Sequence, residues 1–147
     1  MKRLLSLLTL LLFTTSSFAT DMIKDGQEYP IEKIREQNKI IVKMVVDEIS
    51  KKLPQKVDNY TTLIKIRDEE LTLIYTFEIN TGAKSDEAVI KEDKARMKRV
   101  ISKGICQSSK RFLDAGVTLS YEYLSASTKK ELFTFSMTQE SCKELNL

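Results

Sequence analysis

Apolar and polar positions follow two different periods along this chain, and each period predicts a type of element. Between Ile31 and Leu53, apolar residues recur at helical spacing and charged residues fill most of the remaining positions. This pattern predicts an amphipathic helix with one buried face. Pro30 suits the first turn of that helix, and Pro54 marks its end.

Alternation with a period of two replaces the helical spacing after this helix. Apolar and β-branched residues alternate with polar ones over residues 60–67 and again over residues 71–79. The acidic segment Asp68, Glu69 and Glu70 separates the two runs. Two alternating runs on either side of a short polar segment predict a β-hairpin.

A second long helix is predicted between Asp86 and Asp114. Ser85 is a suitable N-cap for it, and Gly116 is a suitable C-cap glycine. Gly104 interrupts the helical pattern, which favours a bend there or a close approach of another element.

Alternation then returns at residues 117–123 and 133–137. The turn at residues 125–130 separates these runs, which predict a second hairpin. The tail after residue 138 is polar and would fray unless it were attached to the second helix, which a disulfide from Cys142 to Cys106 would do.

These elements predict a single α+β domain over residues 30–147, built from two helix–hairpin units. The two hairpins would form a four-stranded antiparallel sheet with the helices packed on one face. The other face would carry many Thr, Ser, Lys and Glu side chains, and an antiparallel sheet can leave such a face in contact with water.

The N-terminal segment has the pattern of a secretory signal peptide. Lys2 and Arg3 precede the apolar run 4–13, and small residues precede the expected cleavage site. The run of about ten residues is too short to span a bilayer, and no cysteine follows it to carry a lipid anchor. We therefore expect a signal peptide at 1–19, a flexible leader at 20–29, and a periplasmic or secreted bacterial protein.

The overall charge does not point to nucleic acid. The formal net charge is +3, and Lys2 and Arg3 would leave with the signal peptide. The chain has no polybasic block, so nucleic-acid binding has little electrostatic support. No apolar run after residue 20 reaches the length of a transmembrane helix, so the mature chain is expected to contain no transmembrane segment.

Cys106 and Cys142 are the only cysteines of the chain. In an oxidising compartment such a pair predicts one structural disulfide, which would stabilise the fold by about 3–4 kcal/mol on the chain-entropy argument. Free or intermolecular thiols are the main alternative, and catalytic or metal-bound cysteines are a lesser one. The chain contains no histidine, the usual base for a cysteine nucleophile and a frequent zinc ligand. We predict no metal and no cofactor.

The lack of histidine also excludes a Ser–His–Asp triad. A pair of carboxylates of the glycosidase type remains as an alternative, with Glu78, Glu122 and Glu131 as candidates. These residues lie on predicted polar strand positions or beside a lysine-rich turn, which favours a solvated surface. We therefore predict that the protein is not an enzyme.

Two charged segments are candidate partner-binding groups. One is the acidic turn formed by Asp68, Glu69 and Glu70, and the other is a basic cluster on the second helix that includes Lys94 and Lys98. A basic cluster of this kind is more often the solvated face of an amphipathic helix than a binding site.

The run I-C-x-S-x-x-R-x-L-x-x-G-V-x-L-x-Y, Ile105 to Tyr121, followed by a hairpin and the late Cys142, resembles a family of quorum-sensing-regulated virulence factors. The resemblance implies a small exported bacterial protein with a compact α/β domain and no recognised catalytic site. Pilotin-like periplasmic domains of secretion systems are similar in their helices and hairpins, although they are commonly lipid-anchored.

The sequence thus predicts an exported, non-enzymatic protein-binding or accessory protein of the bacterial envelope with a virulence-related role. Its partner would be another envelope or secreted protein, bound by the open sheet face or by strand addition at a sheet edge. The alternative is a periplasmic immunity protein or an inhibitor of a toxin or cell-wall hydrolase, which would insert the acidic turn into a cleft of its partner. A carboxylate enzyme is the third hypothesis.

Overall fold

The computed structural model describes residues 30–145, which form both helices and strands. The signal peptide and leader predicted at 1–19 and 20–29 lie outside the described residues. The elements in order are α1 (Ile31–Ser50), β1 (Gln55–Lys56), β2 (Thr61–Glu69), β3 (Thr72–Ile79), α2 (Asp86–Glu92), α3 (Lys94–Ser108), α4 (Lys110–Asp114), β4 (Thr118–Ser125), β5 (Glu131–Met137) and α5 (Gln139–Glu144).

The strands form one five-stranded mixed sheet in the order β1-β2-β3-β4-β5. The central pair, β3 and β4, is parallel, with Thr72 opposite Thr118 and Ile79 opposite Ser125, and the other pairs are antiparallel. The α+β class is confirmed, but the prediction of four antiparallel strands is wrong in detail. The chain returns through α2, α3 and α4 before β4 begins, and a helical crossover of this kind joins parallel strands, whereas a short turn joins antiparallel ones.

The extra strand and the first turn also differ from the prediction. β1 pairs with the outer side of β2, with Gln55 opposite Leu63, and it is too short to produce an alternating pattern. Asp68 and Glu69 belong to β2, so the turn consists of Glu70 and Leu71 alone. Glu70 has a φ of 57°, in the left-handed region that tight hairpin turns use.

The second predicted helix is divided into three. α2 ends before Asp93 and α3 ends before Ser109, whereas Gly104 lies inside α3. A Cβ placed on Gly104 would have no atom within 4 Å, so this glycine marks neither a break nor a close contact. Both predicted caps are confirmed, since Ser85 accepts a hydrogen bond from the Ala88 amide at 3.2 Å and Gly116 has a φ of 78°.

The hydrophobic core lies between the helices and one face of the sheet. α1 packs against β2 and β3, while α2 and α3 pack against β5. Leu73, Leu119 and Met137 are each exposed by no more than 2%. The aromatic rings on this face form a continuous layer with centroids 5.1 to 6.4 Å apart, and its members are Tyr75, Phe77, Tyr121, Tyr123, Phe133 and Phe135.

A register shift in β2 explains why the strand does not alternate strictly. Leu63 and Ile66 are both buried, although three positions separate them, because the pairing with β3 shifts between Leu63 and Lys65. A β-bulge inserts an extra residue and changes which positions face the core. The opposite sheet face carries the polar positions, as the sequence predicts.

The C-terminal tail is folded and covalently attached. The Thr138 side chain caps α5 by accepting a hydrogen bond from the Ser141 amide at 3.2 Å. The predicted disulfide is present, joining Cys106 of α3 to Cys142 of α5 across a sequence separation of 36. The disulfide therefore holds the tail on α3, part of the second predicted helix, as the sequence predicts. None of the helices within residues 30–145 has the length and apolar character needed to cross a membrane.

Candidate functional site

The two edges of the sheet differ in length. β1 covers one edge with two exposed residues, Gln55 and Lys56. β5 forms the other edge over seven residues, and among the described strands β4 alone pairs with it. Its side chains Thr134 and Ser136 are exposed. A long edge with unpaired backbone groups is the usual place for strand addition by a partner.

A groove of about 340 Å³ opens beside the end of β5, between α3 and α5. We call it the α3–α5 groove. α3 contributes Ala95, Lys98, Arg99 and Ser102; β5 contributes Ser136 and Met137; and the α5 side contributes Ser141, Glu144 and Leu145. Its volume lies near the lower end of the range for ligand pockets, about 300–1,000 Å³, so it accommodates a few side chains of a partner.

The disulfide joins the two walls of the α3–α5 groove. Cys106 lies one helical turn after Ser102 on α3, and Cys142 follows Ser141 on α5. The Cα atoms of the two cysteines are 5.6 Å apart. Because α5 has only six residues, this bond is the strongest constraint on the position of the second wall.

Ser102 is the unusual residue of the groove. Its side chain is 2% exposed, and its Oγ has no hydrogen-bond partner among the described residues. Buried polar groups are nearly always hydrogen-bonded, and leaving one unpaired costs about 1–3 kcal/mol. The groove is therefore lined by a serine whose buried hydroxyl has no hydrogen-bond partner among the described residues.

The predicted basic residues occupy different positions relative to the groove. Lys94 and Lys98 are both exposed on α3, but only Lys98 lines the groove, together with Arg99. Neither Lys98 nor Arg99 forms an ion pair with another described residue, whereas Arg96 pairs with Asp93 at 2.9 Å. α3 itself contains no acidic residue, so the charge of this wall is positive.

The predicted acidic residues lie elsewhere, near α1. Asp68 is half-buried in β2, and Glu69 lies 3.5 Å from Arg67. Glu70 forms an ion pair of 2.7 Å with Lys39 of α1, and the hydrogen bond from Lys39 lowers the pKa of the Glu70 carboxyl. The structure does not bring this segment together with the basic cluster.

None of the three candidate catalytic carboxylates lines the α3–α5 groove. Glu122 accepts two hydrogen bonds from Arg67, at 2.8 and 3.2 Å, and one from Thr76 at 2.9 Å. These bonds, chiefly those from Arg67, lower the pKa of the Glu122 carboxyl, whereas a general acid needs a raised one.

The other two carboxylates are also engaged at the surface. Glu78 accepts a hydrogen bond of 2.7 Å from Lys129, and Glu131 accepts one of 3.1 Å from Thr134. Within residues 30–145, no three His, Cys, Asp or Glu side chains are grouped to hold a metal ion.

The sequence identified Lys98 but not the rest of the groove. Ser102 lies among buried or half-buried positions of α3, between Ile101 and the pair Ile105 and Cys106. A small polar residue on the buried face of a helix was the only sign in the sequence of a site here. Met137 reads as an ordinary core residue. The α5 wall was not predicted, because the tail has too few residues for a helical pattern to emerge.

Solved structures of low sequence identity share this fold. A Pseudomonas aeruginosa protein described as secreted has 16% identity and a TM-score of 0.64, over 74% of this chain and 96% of that one. The type 2 secretion system pilotin EpsS of Vibrio vulnificus has 15% identity and a TM-score of 0.63, over 76% and 96%. The type II secretion system pilotin AspS of Vibrio cholerae has 13% identity and a TM-score of 0.62, over 76% and 98%.

No curated protein sequence matches this chain. The resemblance to quorum-sensing-regulated virulence factors stays a prediction, since the matching family carries no such description. Residues 36–133 match the family described as Domain of unknown function (DUF8479), and this chain belongs to that family.

Proposed function

We propose that this chain is an exported, non-enzymatic accessory protein of the bacterial envelope that acts by binding another envelope or secreted protein. The observation that carries the proposal is the long edge of β5, with the α3–α5 groove beside it. The shared fold with two secretion pilotins supports it, because accessory proteins of a secretion system work through protein partners.

The state of the carboxylates agrees with a role other than catalysis. Glu122 is held as a carboxylate by hydrogen bonds from Arg67 and Thr76. Each of the other two carboxylates has a partner on the chain's own surface. A glycosidase of the two-carboxylate type would need one carboxyl held in its protonated form near neutral pH.

The contact surface would include the basic side chains of α3. Lys94 and Lys98 are exposed on the helix that packs on β5, so a partner strand added to β5 would pass close to them. An immunity protein or inhibitor would instead use Asp68, Glu69 and Glu70. Two of these acids already pair with basic residues of the chain, which reduces the negative charge they offer to a partner.

The proposal includes export by the signal peptide at 1–19, a leader at 20–29 and a single domain at 30–147. It also includes the virulence-related role that the sequence resemblance implies. These parts concern where the protein works, and they can be tested independently of the contact surface.

Site-specific photo-crosslinking in the native cells tests the contact surface. p-Benzoylphenylalanine in place of Thr134 puts the reactive group at an exposed position of β5. The same amino acid in place of Glu32 puts it at an exposed position of α1, away from the proposed contact surface. We expect a discrete envelope protein to be cross-linked from position 134 and not from position 32. Equal labelling from both positions, or no product from exported protein, would contradict the proposal. So would peptidoglycan hydrolysis that is lost in Glu122→Gln.

A further inference from the structure

The α3–α5 groove has three properties that together define the chemistry of an occupant. Its α3 wall presents the side chains of Lys98 and Arg99, and Ser102 lines it with a buried, unpartnered hydroxyl. Met137 and Leu145 add an apolar surface to the groove on the side of β5 and α5.

The buried hydroxyl is the most specific of these properties. Ser102 Oγ makes no hydrogen bond with any described residue, although a serine inside a helix can usually bond the carbonyl oxygen one turn earlier. An occupant that supplies an acceptor would satisfy it. Because Ser102 is 2% exposed, that acceptor must enter the groove, and the side chains around the Oγ must shift to admit it.

The charge of the groove indicates an anionic acceptor. Lys98 lies one helical turn before Ser102, so the two side chains share a face of α3. Arg99 borders the same space, and neither cation has an ion pair within the described part of the chain. Glu144 is the one acid among the lining residues, and it is exposed on the α5 side. The α3 wall therefore complements a carboxylate.

The apolar surface indicates that the carboxylate belongs to a peptide with a neighbouring apolar side chain. Met137 is 1% exposed and ends β5, whereas Leu145 is 48% exposed and follows α5. An exposed leucine beside a polar groove gains burial when an apolar side chain covers it. β5 ends at this point, so a segment that follows the sheet edge would reach the groove.

We propose that the α3–α5 groove binds an acidic–apolar peptide segment of the partner protein, whose carboxylate accepts a hydrogen bond from Ser102 and pairs with Lys98 and Arg99. This inference rests on the proposed function and specifies the partner's chemistry. The apolar neighbour of the acidic residue covers Leu145 and the end of β5. The disulfide between Cys106 and Cys142 holds the two walls at the required separation.

Selection from a random twelve-residue peptide library tests this assignment without knowledge of the partner. The bait is the exported protein purified after expression of the full chain. We expect the enriched peptides to share an acidic residue next to an apolar one. Enrichment of peptides without an acidic residue, or no enrichment at all, would overturn the assignment.

Three variants of the bait test whether the enriched peptides occupy this groove. Ser102→Ala removes only an unpartnered hydroxyl, so the fold is retained, and binding is expected to weaken roughly tenfold because a hydrogen bond to a charged group is lost. Lys98→Glu reverses a charge in the groove and is expected to weaken binding by more than about tenfold. Lys103→Glu makes the same change on α3 outside the groove, and binding should stay within about twofold.

The outcomes separate this inference from the proposed function. Equal losses in Lys98→Glu and Lys103→Glu would show a general charge effect and overturn the groove assignment, as would full binding by Ser102→Ala. If the partner still cross-links from position 134 in Ser102→Ala and Lys98→Glu, the function stands and the groove assignment fails. If position 134 captures nothing in the wild-type protein, the function itself fails.

Discussion

Removal of the disulfide is expected to destabilise the domain by about 4 kcal/mol. The perturbation is the double variant Cys106→Ala and Cys142→Ala. The sequence separation between the two cysteines is 36, and for a loop of that length the chain-entropy relation gives about 12–13 cal/mol/K, or about 4 kcal/mol at 25 °C. Both side chains are also buried, at 6% and 7% exposure, so the loss of their packing acts in the same direction.

Urea unfolding followed by far-ultraviolet circular dichroism measures this loss. Small domains have m-values of about 1–3 kcal/mol/M in urea, so the midpoint is expected to fall by roughly 2 M. Wild-type protein unfolded in the presence of a reductant is the matched control, because it breaks the covalent bond without shortening a side chain. The reduced wild type and the double variant are expected to agree within about 1 kcal/mol.

Two results would refute this reasoning. Thiol titration of the unfolded, unreduced protein should find no free thiol, and two thiols would show that the disulfide does not form. A double variant within about 1 kcal/mol of the oxidised wild type would show that the bond does not constrain the unfolded chain as the entropy argument requires.

The remaining predictions concern the core, two glycines and one ion pair. Leu73→Ala, at a position 1% exposed, is expected to lower the free energy of unfolding by about 2–5 kcal/mol in the same urea assay, and a loss under about 1 kcal/mol would contradict the assigned core. Gly116→Ala is expected to destabilise the domain by about 1 kcal/mol because Gly116 has a φ of 78°. Gly104→Ala, in the interior of α3, is expected to stabilise the domain by up to about 1 kcal/mol. Effects of the same sign in the two variants would argue against this difference in backbone conformation. The pKa of Glu122 is lowered in the folded protein, chiefly by hydrogen bonds from Arg67. The ionised carboxyl therefore stabilises the folded state fully above the unfolded pKa of about 4.3, and this stabilisation is lost as the pH falls through the lower folded pKa. Glu122→Gln is therefore expected to reduce the loss of stability below about pH 4, and identical pH profiles would contradict the ion pair.

Local patterns predicted the elements better than they predicted how the elements assemble. The helical spacing of apolar residues identified α1, and the alternation at residues 60–79 identified β2 and β3, because burial on one face imposes those periods directly. The caps at Ser85 and Gly116 follow from backbone chemistry that acts within a few residues. Strand direction is different, since it depends on how the connecting segment returns to the sheet.

The candidate site was likewise predictable where it depends on local sequence and not where it depends on assembly. Lys98 could be identified because charge is visible in the sequence, and the cysteines could be paired because only two exist. Ser102 acquires its significance only from the packing of α5 and β5 around it. No local pattern states that a hydroxyl will be buried without a partner, so this part of the site required the three-dimensional structure.

The parallel pairing of β3 with β4 determines what can be expected when the chain is divided. Each strand has eight residues, and every position from Thr72 to Ile79 has a partner between Thr118 and Ser125. A cut in the loop before α2 would leave each fragment with a central strand that has lost its partner on one side, and with exposed aromatic side chains. The fragments should therefore aggregate when kept apart and reassemble when mixed, so the two helix–hairpin segments behave as complementing pieces of one folding unit.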